Sequence, residues 1–259
     1  MPKAESASRA INRLCDILNS FTGSQPVLTL TEISQRIDLP KSTTHRFLEA
    51  LVSQGLLYSE NGRGYHLGPQ LIHWGMLAQA SIDLRNLALP VLSTLMEATG
   101  ETAILSVRFG SAGVWLEMIE SRHPVRLAIR IGERLPLHAG ASSKVLWAFL
   151  PQPEIESLLQ QVELVPLEKN TITGPQAMRA ELAEIRQRGY ATSFEETDRG
   201  AMGVAAPVYD HAGKLVAGIG IAAPVTRVSP EQVPEVARDV LAAGRELSAR
   251  LGAPESVLQ

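Results

Sequence analysis

Lys41, Ser42, Thr43, His45 and Arg46 crowd one short stretch of the chain and together offer long and short hydrogen-bond donors. Phosphate oxygens and base edges need donors of these two reaches. Among them Thr44, Phe47, Leu48 and Leu51 recur at three- and four-residue intervals, so a helix over Leu39–Leu51 can pack one face on a small core and project the donors from the other. Pro40 suits the start of such a helix, since its φ is already helical and it has no N–H to leave unpaired. The free N–H groups of the first turn then add an anion-binding end. An ordinary amphipathic helix with a solvated face has the same periodicity, and the flanking elements must decide between the two.

A second candidate lies far along the chain. Gly140-Ala141-Ser142-Ser143 opens a helix directly after a loop, so backbone N–H groups, the positive end of the helix dipole and the serine hydroxyls could receive a carboxylate. A plain helix cap is the structural alternative. Ser142, Ser143, His138 and Asp198 suggest a nucleophile set, but neither serine lies in a Gly-x-Ser-x-Gly elbow and no spacing pairs a base with it. His66 and His73 lack a helical metal-ligand interval. Cys15 is the single cysteine, which excludes an intrachain disulfide and a cysteine-based zinc site. The reading is a binding protein rather than an enzyme, with no cofactor and no metal.

The elements around the first stretch give it meaning. Ser6–Phe21 reads as an amphipathic helix through Ile11, Leu14, Cys15 and Leu18, with Cys15 as core filling. Val27–Leu30 reads as a short strand, and Thr29 with Glu32 has the spacing of a capping box for a second helix. Asp38-Leu39-Pro40 is the tight connection to the donor-rich helix, with Asp38 able to take the left-handed φ of the turn. Leu56-Leu57-Tyr58 and Tyr65-His66-Leu67 flank an Asn-Gly-containing turn, a β-hairpin signal, and Arg63 sits at its tip. Helix, helix-turn-helix and hairpin in that order describe a winged helix-turn-helix, with Lys41, Ser42, Thr43, His45, Arg46 and Arg63 as DNA contacts.

The rest of the chain reads as an α+β domain on a mostly antiparallel sheet, joined through a linker helix. The expected bounds are 1–69 for the winged helix-turn-helix, 70–82 for the linker and 83–259 for the sheet domain. Leu71, Trp74 and Leu77 form a large apolar cluster on a segment too short to have its own core, a candidate dimer contact. Asp83 should cap a helix ending at Thr99-Gly100, with Pro90 kinking it or marking a late start. Thr102–Phe109 and Val114–Glu120 read as a hairpin, Val125–Ile131 as an alternating strand, and 135–141 as a loop. Helices follow over Ser142–Phe149, Pro153–Gln161 and Pro175–Arg188, then strands over Tyr190–Glu196, Val204–Tyr209 and Leu215–Ala222, and a last helix from Pro230 to Leu251.

The 259 residues carry a net charge of −3, which argues against indiscriminate coating of nucleic acid. Over residues 1–75 seven Lys and Arg face six Asp and Glu, a balance of +1, so charge is a weak witness for DNA binding. No apolar run approaches the roughly 20 residues of a membrane span, and no signal peptide opens the chain, so a cytoplasmic protein is expected.

From Ser8 to about Gly252 the chain resembles the IclR family of bacterial transcriptional regulators. The resemblance rests on Ser8-Arg9-Ala10-Ile11, Leu39-Pro40-Lys41-Ser42-Thr43-Thr44-His45-Arg46 and Tyr65-His66-Leu67-Gly68. It continues in Thr99-Gly100-Glu101-Thr102, Pro136-Leu137-His138-Ala139, Gly189-Tyr190-Ala191 and Ala205-Ala206-Pro207-Val208. It implies a dimer or dimer of dimers on a partly palindromic operator, and a C-terminal domain that binds a small organic acid. It places the Gly140–Ser143 turn in the effector pocket, facing Ser193, Met202, Gly203, Gly220 and Ala222. Leu127 and Ile129, on the apolar side of the expected strand 125–131, are counted with them. The family tends to have Gly where this chain has Ser143, polar pocket residues at Gly203, Gly220 and Ala222, and an acid at Ser193. A pocket with these smaller side chains favours a larger, partly apolar acid. A hydrolase on the C-terminal domain and a ligand-independent DNA-binding protein are the competing readings.

Overall fold

The computed structural model describes residues 2–22, 25–59, 64–74 and 83–258. The chain divides into two compact units, Met1–Ile82 and Asp83–Gln259.

In the first unit α1 (Pro2–Asn19), α2 (Leu30–Arg36) and α3 (Lys41–Ser53) precede a hairpin of β1 (Leu57–Ser59) and β2 (Tyr65–Leu67). A further helix, α4, is described over residues 69–74. The capping box forms as its spacing implies: the Thr29 hydroxyl accepts from the Glu32 N–H at 3.3 Å and the Glu32 carboxylate accepts from the Thr29 N–H at 2.7 Å. Asp38 takes a φ of 49° in the turn before α3. Ile17, Leu28, Ile33, Leu48, Leu51 and Leu57 fill the core.

Two local readings need correction. The buried stripe of α1 runs through Leu14, Ile17 and Leu18 towards Phe21, whereas Ile11 is 60% exposed and Cys15 is exposed. Both stripes share Leu14 and Leu18; the large side chains at 17 and 21 rotate the helix, and Cys15 is left outside the core. The strand expected at Val27–Leu30 reduces to one bridge between Leu28 and Tyr65, because α2 already starts at Leu30.

The second unit is a six-stranded antiparallel sheet in the order β5-β4-β3-β8-β7-β6. Its strands are β3 (Thr102–Phe109), β4 (Ala112–Ile119), β5 (Arg134–Pro136), β6 (Ala191–Phe194), β7 (Ala201–Tyr209) and β8 (Leu215–Pro224). Helices α5 (Leu84–Thr99) and α9 (Val233–Arg250) share a core with one face of the sheet, through Val204, Ile219 and Ile221 among others. Helices α6 (Ala141–Ala148), α7 (Gln152–Gln161) and α8 (Pro175–Arg188) form a second core with Ala191 and Ala205. Asp83 caps α5 and Gly100 ends it at a φ of 73°; the helix starts ahead of Pro90, so no late start occurs.

Residues 125–131 are not a strand, and the short edge strand is β5, where a loop was expected. The alternation there has another cause. Leu127 and Ile129 are half-buried against a cavity while Arg126 and Arg130 face water, so the period of two reports one-sided burial without ladder pairing.

Glycines of β8 permit two close approaches, that of α6 at Gly218 and that of the paired strand β7 at Gly220. A Cβ at Gly218 would fall 2.7 Å from Val145 Cγ1, and one at Gly220 only 2.1 Å from the Val204 carbonyl oxygen. Neither conflict can be relieved without moving backbone or a packed helix. Gly220→Ala should therefore destabilise the second unit by about 1 to 3 kcal/mol, the usual cost of overpacking. Urea unfolding of the full chain followed by tryptophan fluorescence checks this; an unchanged midpoint would mean that the strands yield freely.

Candidate functional site

On α3 the side chains of Lys41, Ser42, His45 and Arg46 are exposed, Thr43 is half-buried and Thr44 is buried, its hydroxyl donating to the Pro40 carbonyl at 3.1 Å. No side chain caps this helix, and the N–H groups of Lys41 and Ser42 have no acceptor among the described residues. His45 lies 3.6 Å from Glu49, whereas Lys41 and Arg46 have no acidic partner among the described residues. The helix thus presents an uncapped positive end and two exposed, uncompensated cations in its first two turns, an arrangement able to hold phosphates and read base edges. Arg63 lies outside the described residues. On α4, Leu71 is half-buried and Trp74 is 51% exposed; Leu77 lies outside the described residues.

The second unit holds a cavity of about 220 Å³ at the N-terminus of α6. Strand register explains its floor. Ser193, Gly203 and Ala222 are directly paired across β6, β7 and β8, and therefore share one face of the sheet. A bulge in β4 sets Trp115 opposite Ser106, whose hydroxyl donates to the Ser142 carbonyl at 3.3 Å, so Trp115 also points to the α6 side. Of the expected effector residues, Leu127, Ile129, Gly140, Ala141, Ser142, Ser193, Met202, Gly203 and Ala222 line this cavity.

Ser143 and Gly220 do not. Ser143 is fully buried with its hydroxyl over Gly113, where an added Cβ would come within 2.7 Å of Oγ; Gly220 is closed off by β7. A helix turns by about 100° per residue, so Ser142 and Ser143 cannot both face one cavity. His138 spends Nε2 on the Val165 carbonyl at 2.8 Å and makes no hydrogen bond to Ser142, Ser143 or Asp198, so no nucleophile–base pair is assembled.

The polar groups of the cavity gather around the start of α6. The hydroxyls of Ser142, Ser193 and Thr197 have no partner within the described protein, and neither have the N–H groups of Ala141 and Ser142. The indole N–H of Trp115 is shielded from water and has no acceptor among the described residues. Ile104, Leu127, Ile129, Leu135 and Ala222 supply apolar wall, and Asp198, which is exposed, is the only carboxylate among the described lining residues.

The N–H of Gly140 is already taken. It donates to Glu196 Oε2 at 3.0 Å, and the other Glu196 oxygen lies 2.5 Å from the Lys144 ammonium, which also reaches Glu181 at 3.0 Å. Glu181 in turn pairs with Arg188 at 3.3 Å. Burial holds the Glu196 carboxyl above the usual carboxylate range, against the opposing pull of Lys144 and the Gly140 N–H. This network fixes the loop carrying Thr197 and Asp198 to the first turn of α6, and so shapes one wall of the cavity.

Sequence reasoning did not find Lys144, Glu181 and Glu196, nor the wall residues Ile104 and Trp115. Lys144 left a trace: an ammonium set among Val145, Leu146 and Trp147 in an apolar helix needs a buried carboxylate, and the Glu195-Glu196 pair offers one. Among the described residues no cluster of His, Cys, Asp and Glu could hold a metal ion, and no helix is long and apolar enough to cross a membrane.

Comparison with known proteins places these features. The model of the bacterial transcriptional regulator IclR C-terminal domain matches residues 76–249, and that of the IclR helix-turn-helix domain matches residues 10–60. The HTH-type transcriptional regulator BhcR of Paracoccus denitrificans is 36% identical over 241 residues, 93% of this chain and 86% of that protein. The HTH-type transcriptional regulator KipR of Bacillus subtilis is 31% identical over 248 residues, 96% of this chain and 99% of that protein. The crystal structure of an IclR homologue from Microbacterium hydrocarbonoxydans complexed with 4-hydroxybenzoate superposes with a TM-score of 0.60 at 25% identity, covering 93% of this chain and 98% of that one.

The buried ion network yields a test with a defined sign. Because the folded pKa of Glu196 is raised, the folded unit holds its proton more tightly than the unfolded chain. That contribution is present below the ordinary carboxylate pKa and is lost as pH rises through the folded value. Lys144→Met removes the cation and should cost about 3 to 5 kcal/mol at pH 7, less at pH 5, with part recovered by adding Glu196→Gln. Urea midpoints of the full-length variants measure this. A loss independent of both pH and Glu196→Gln would reduce Lys144 to a packing residue.

Proposed function

The chain belongs to the IclR family of bacterial transcriptional regulators, DNA-binding proteins and not enzymes, and on that premise we propose that it reads a partly palindromic operator as a homodimer or dimer of dimers under the control of a compact aromatic carboxylic acid. Its units are the winged helix-turn-helix over 1–69, a linker over 70–82 and the effector domain over 83–259. Lys41, Ser42, Thr43, His45, Arg46 and Arg63 make the DNA contacts, and Leu71, Trp74 and Leu77 contribute to the dimer contact. One helix of this length reads too few base pairs to be specific, which is the physical reason for a two-fold assembly with its reading helices about 34 to 36 Å apart.

The observation that carries the effector reading is the division of the cavity into a donor-rich end at Ala141, Ser142 and Ser193 and an apolar remainder. A carboxylate satisfies the donors. A ring fills the remainder, where the further oxygens of a small keto acid would be desolvated without partners. The 4-hydroxybenzoate bound by the Microbacterium homologue is an acid of this class.

On DNA, Arg46 and Lys41 should differ in kind. With an operator selected from random sequence, Arg46→Ala should cost about 1 to 3 kcal/mol and relax preference at one base per half-site. Lys41→Ala should weaken all sequences alike and flatten the salt dependence. Fluorescence anisotropy on specific and random duplexes separates them, and equal losses for Arg46→Ala on both would remove it from base reading. A chain that sediments as a monomer while binding its operator would refute the two-fold assembly.

For the effector, benzoate-class and branched acids should raise the melting temperature of the full chain ahead of glyoxylate and pyruvate; a ligand at 100 times its Kd adds about 2.7 kcal/mol. Ala222→Phe should fill the cavity and abolish that response while operator affinity is kept. It replaces Gly220→Leu as the informative variant, since no side chain fits at Gly220. Response to glyoxylate alone would overturn the aromatic assignment.

A further inference from the structure

A larger cavity, of about 360 Å³, lies elsewhere in the second unit, where the end of α8, strand β7 and α9 meet, and it shares no lining residue with the cavity at α6. Three arginines line it, Arg186, Arg188 and Arg245, and among the described residues no carboxylate does. The charges are not equally compensated. Arg188 is paired with Glu181 at 3.3 Å, but Arg186 donates only to neutral acceptors, the Gln152 side-chain oxygen at 3.1 Å and the Leu150 carbonyl at 2.9 Å. Arg245 has no hydrogen-bond or ion-pair partner among the described residues, although Glu246 beside it is paired with Arg250.

A neutral donor sits among these cations. The Tyr209 hydroxyl makes no hydrogen bond within the described protein, and burial pushes its pKa up to about 12 while the charge of Arg186 pulls the other way. The hydroxyl thus keeps its proton at neutral pH and lies within the field of Arg186. Its ring meets Phe149 edge to face, with centroids 6.3 Å apart, and Pro207 and Leu241 extend the apolar floor. Ser248, also in the lining, is spent on backbone, donating to the Gly244 carbonyl at 2.7 Å and accepting from the Tyr209 N–H at 2.9 Å.

A concavity with uncompensated positive charge, an unused hydroxyl donor and an aromatic floor suits one class of ligand. We propose that this cavity is a second small-molecule site of the effector domain, which takes an organic anion, a phosphate monoester or carboxylate with a flat apolar body, on Arg186, Arg245 and Tyr209. The anionic head neutralises the two arginines and accepts from the tyrosine hydroxyl; the body lies on Phe149 and Pro207. Charge-assisted bonds to arginine are the strong ones in such sites, so the head group dominates affinity.

Phenyl phosphate supplies both parts and serves as the probe, titrated calorimetrically into the full-length chain at low ionic strength, with inorganic phosphate and phenol as half-probes. Binding should be tighter than for either half-probe. It should fall at least about tenfold in Arg186→Gln/Arg245→Gln, by the loss of two charge-assisted contacts, and severalfold in Tyr209→Phe at unchanged melting temperature. It should persist in Ala222→Phe, which blocks only the cavity at α6. Equal affinity in the double arginine variant, no binding at millimolar phenyl phosphate, or loss of binding in Ala222→Phe would each overturn the proposal. Circular dichroism of the double variant guards against an unfolded chain, and Arg245→Gln alone, an exposed position with no partner to lose, should still weaken phenyl phosphate severalfold.

Discussion

The second unit depends on the seating of α6. The helix is short and fully buried along most of its length, and it lies on a sheet face from which Gly203 and Gly218 have removed the side chains that would press on Ala141 and Val145. Close packing of this kind gains dispersion contacts on both partners and leaves few voids. It also fixes where the helix begins. The first turn projects past the glycine rows towards Ser193, Gly203 and Ala222, so the same constraint that packs the helix opens a cavity at its N-terminus.

Lys144 makes this arrangement specific in a way that apolar packing alone does not. An ammonium that is 1% exposed can be tolerated only with its carboxylates in place, and Glu196 and Glu181 come from separate elements. Burying such a group costs several kcal/mol, which the ion pairs and the Gly140 N–H must offset, so the network adds little net stability. What it does is exclude alternatives: any register of the 195–200 loop that moves Glu196 leaves a charge unpaired in a dry site. Glu196 has a second effect. By occupying the Gly140 N–H it leaves those of Ala141 and Ser142 as free donors facing the cavity.

Where local chemistry decides the structure, the sequence was a good guide. The capping box at Thr29 and Glu32, the left-handed Asp38, the cap at Asp83 and the stop at Gly100 each rest on a few adjacent residues, and each is present. The nine cavity-lining residues anticipated through the family resemblance contrast with Ser143 and Gly220, which tertiary packing decides. Ser143 is one helical step from Ser142 and turns to the sheet; Gly220 is on the right face but lies under crowded backbone. In α1 two overlapping apolar stripes shared Leu14 and Leu18, and only the position of the neighbouring core could choose between Cys15 and Ile17. The false strand at 125–131 is the most instructive failure. Alternation shows that one side of a segment is buried, and a wall over a cavity satisfies that condition as well as a sheet does.

The cavities proposed as ligand sites, at α6 and at Arg186 and Arg245, would ask different things of a ligand, and the difference follows from their charges. At α6 the donors are backbone N–H groups and hydroxyls, while the buried cation Lys144 is already spent on Glu196 and Glu181. Recognition of the proposed effector there would rest on hydrogen bonds in a partly dry site, where a ligand lacking the matching acceptor leaves several donors unpaired and is rejected strongly. At Arg186 and Arg245 the attraction is longer in range, less demanding in geometry and open to screening by salt. A change of ionic strength therefore weighs unequally on the two, acting mainly on the arginine-lined cavity and leaving discrimination at α6 to shape and hydrogen bonding.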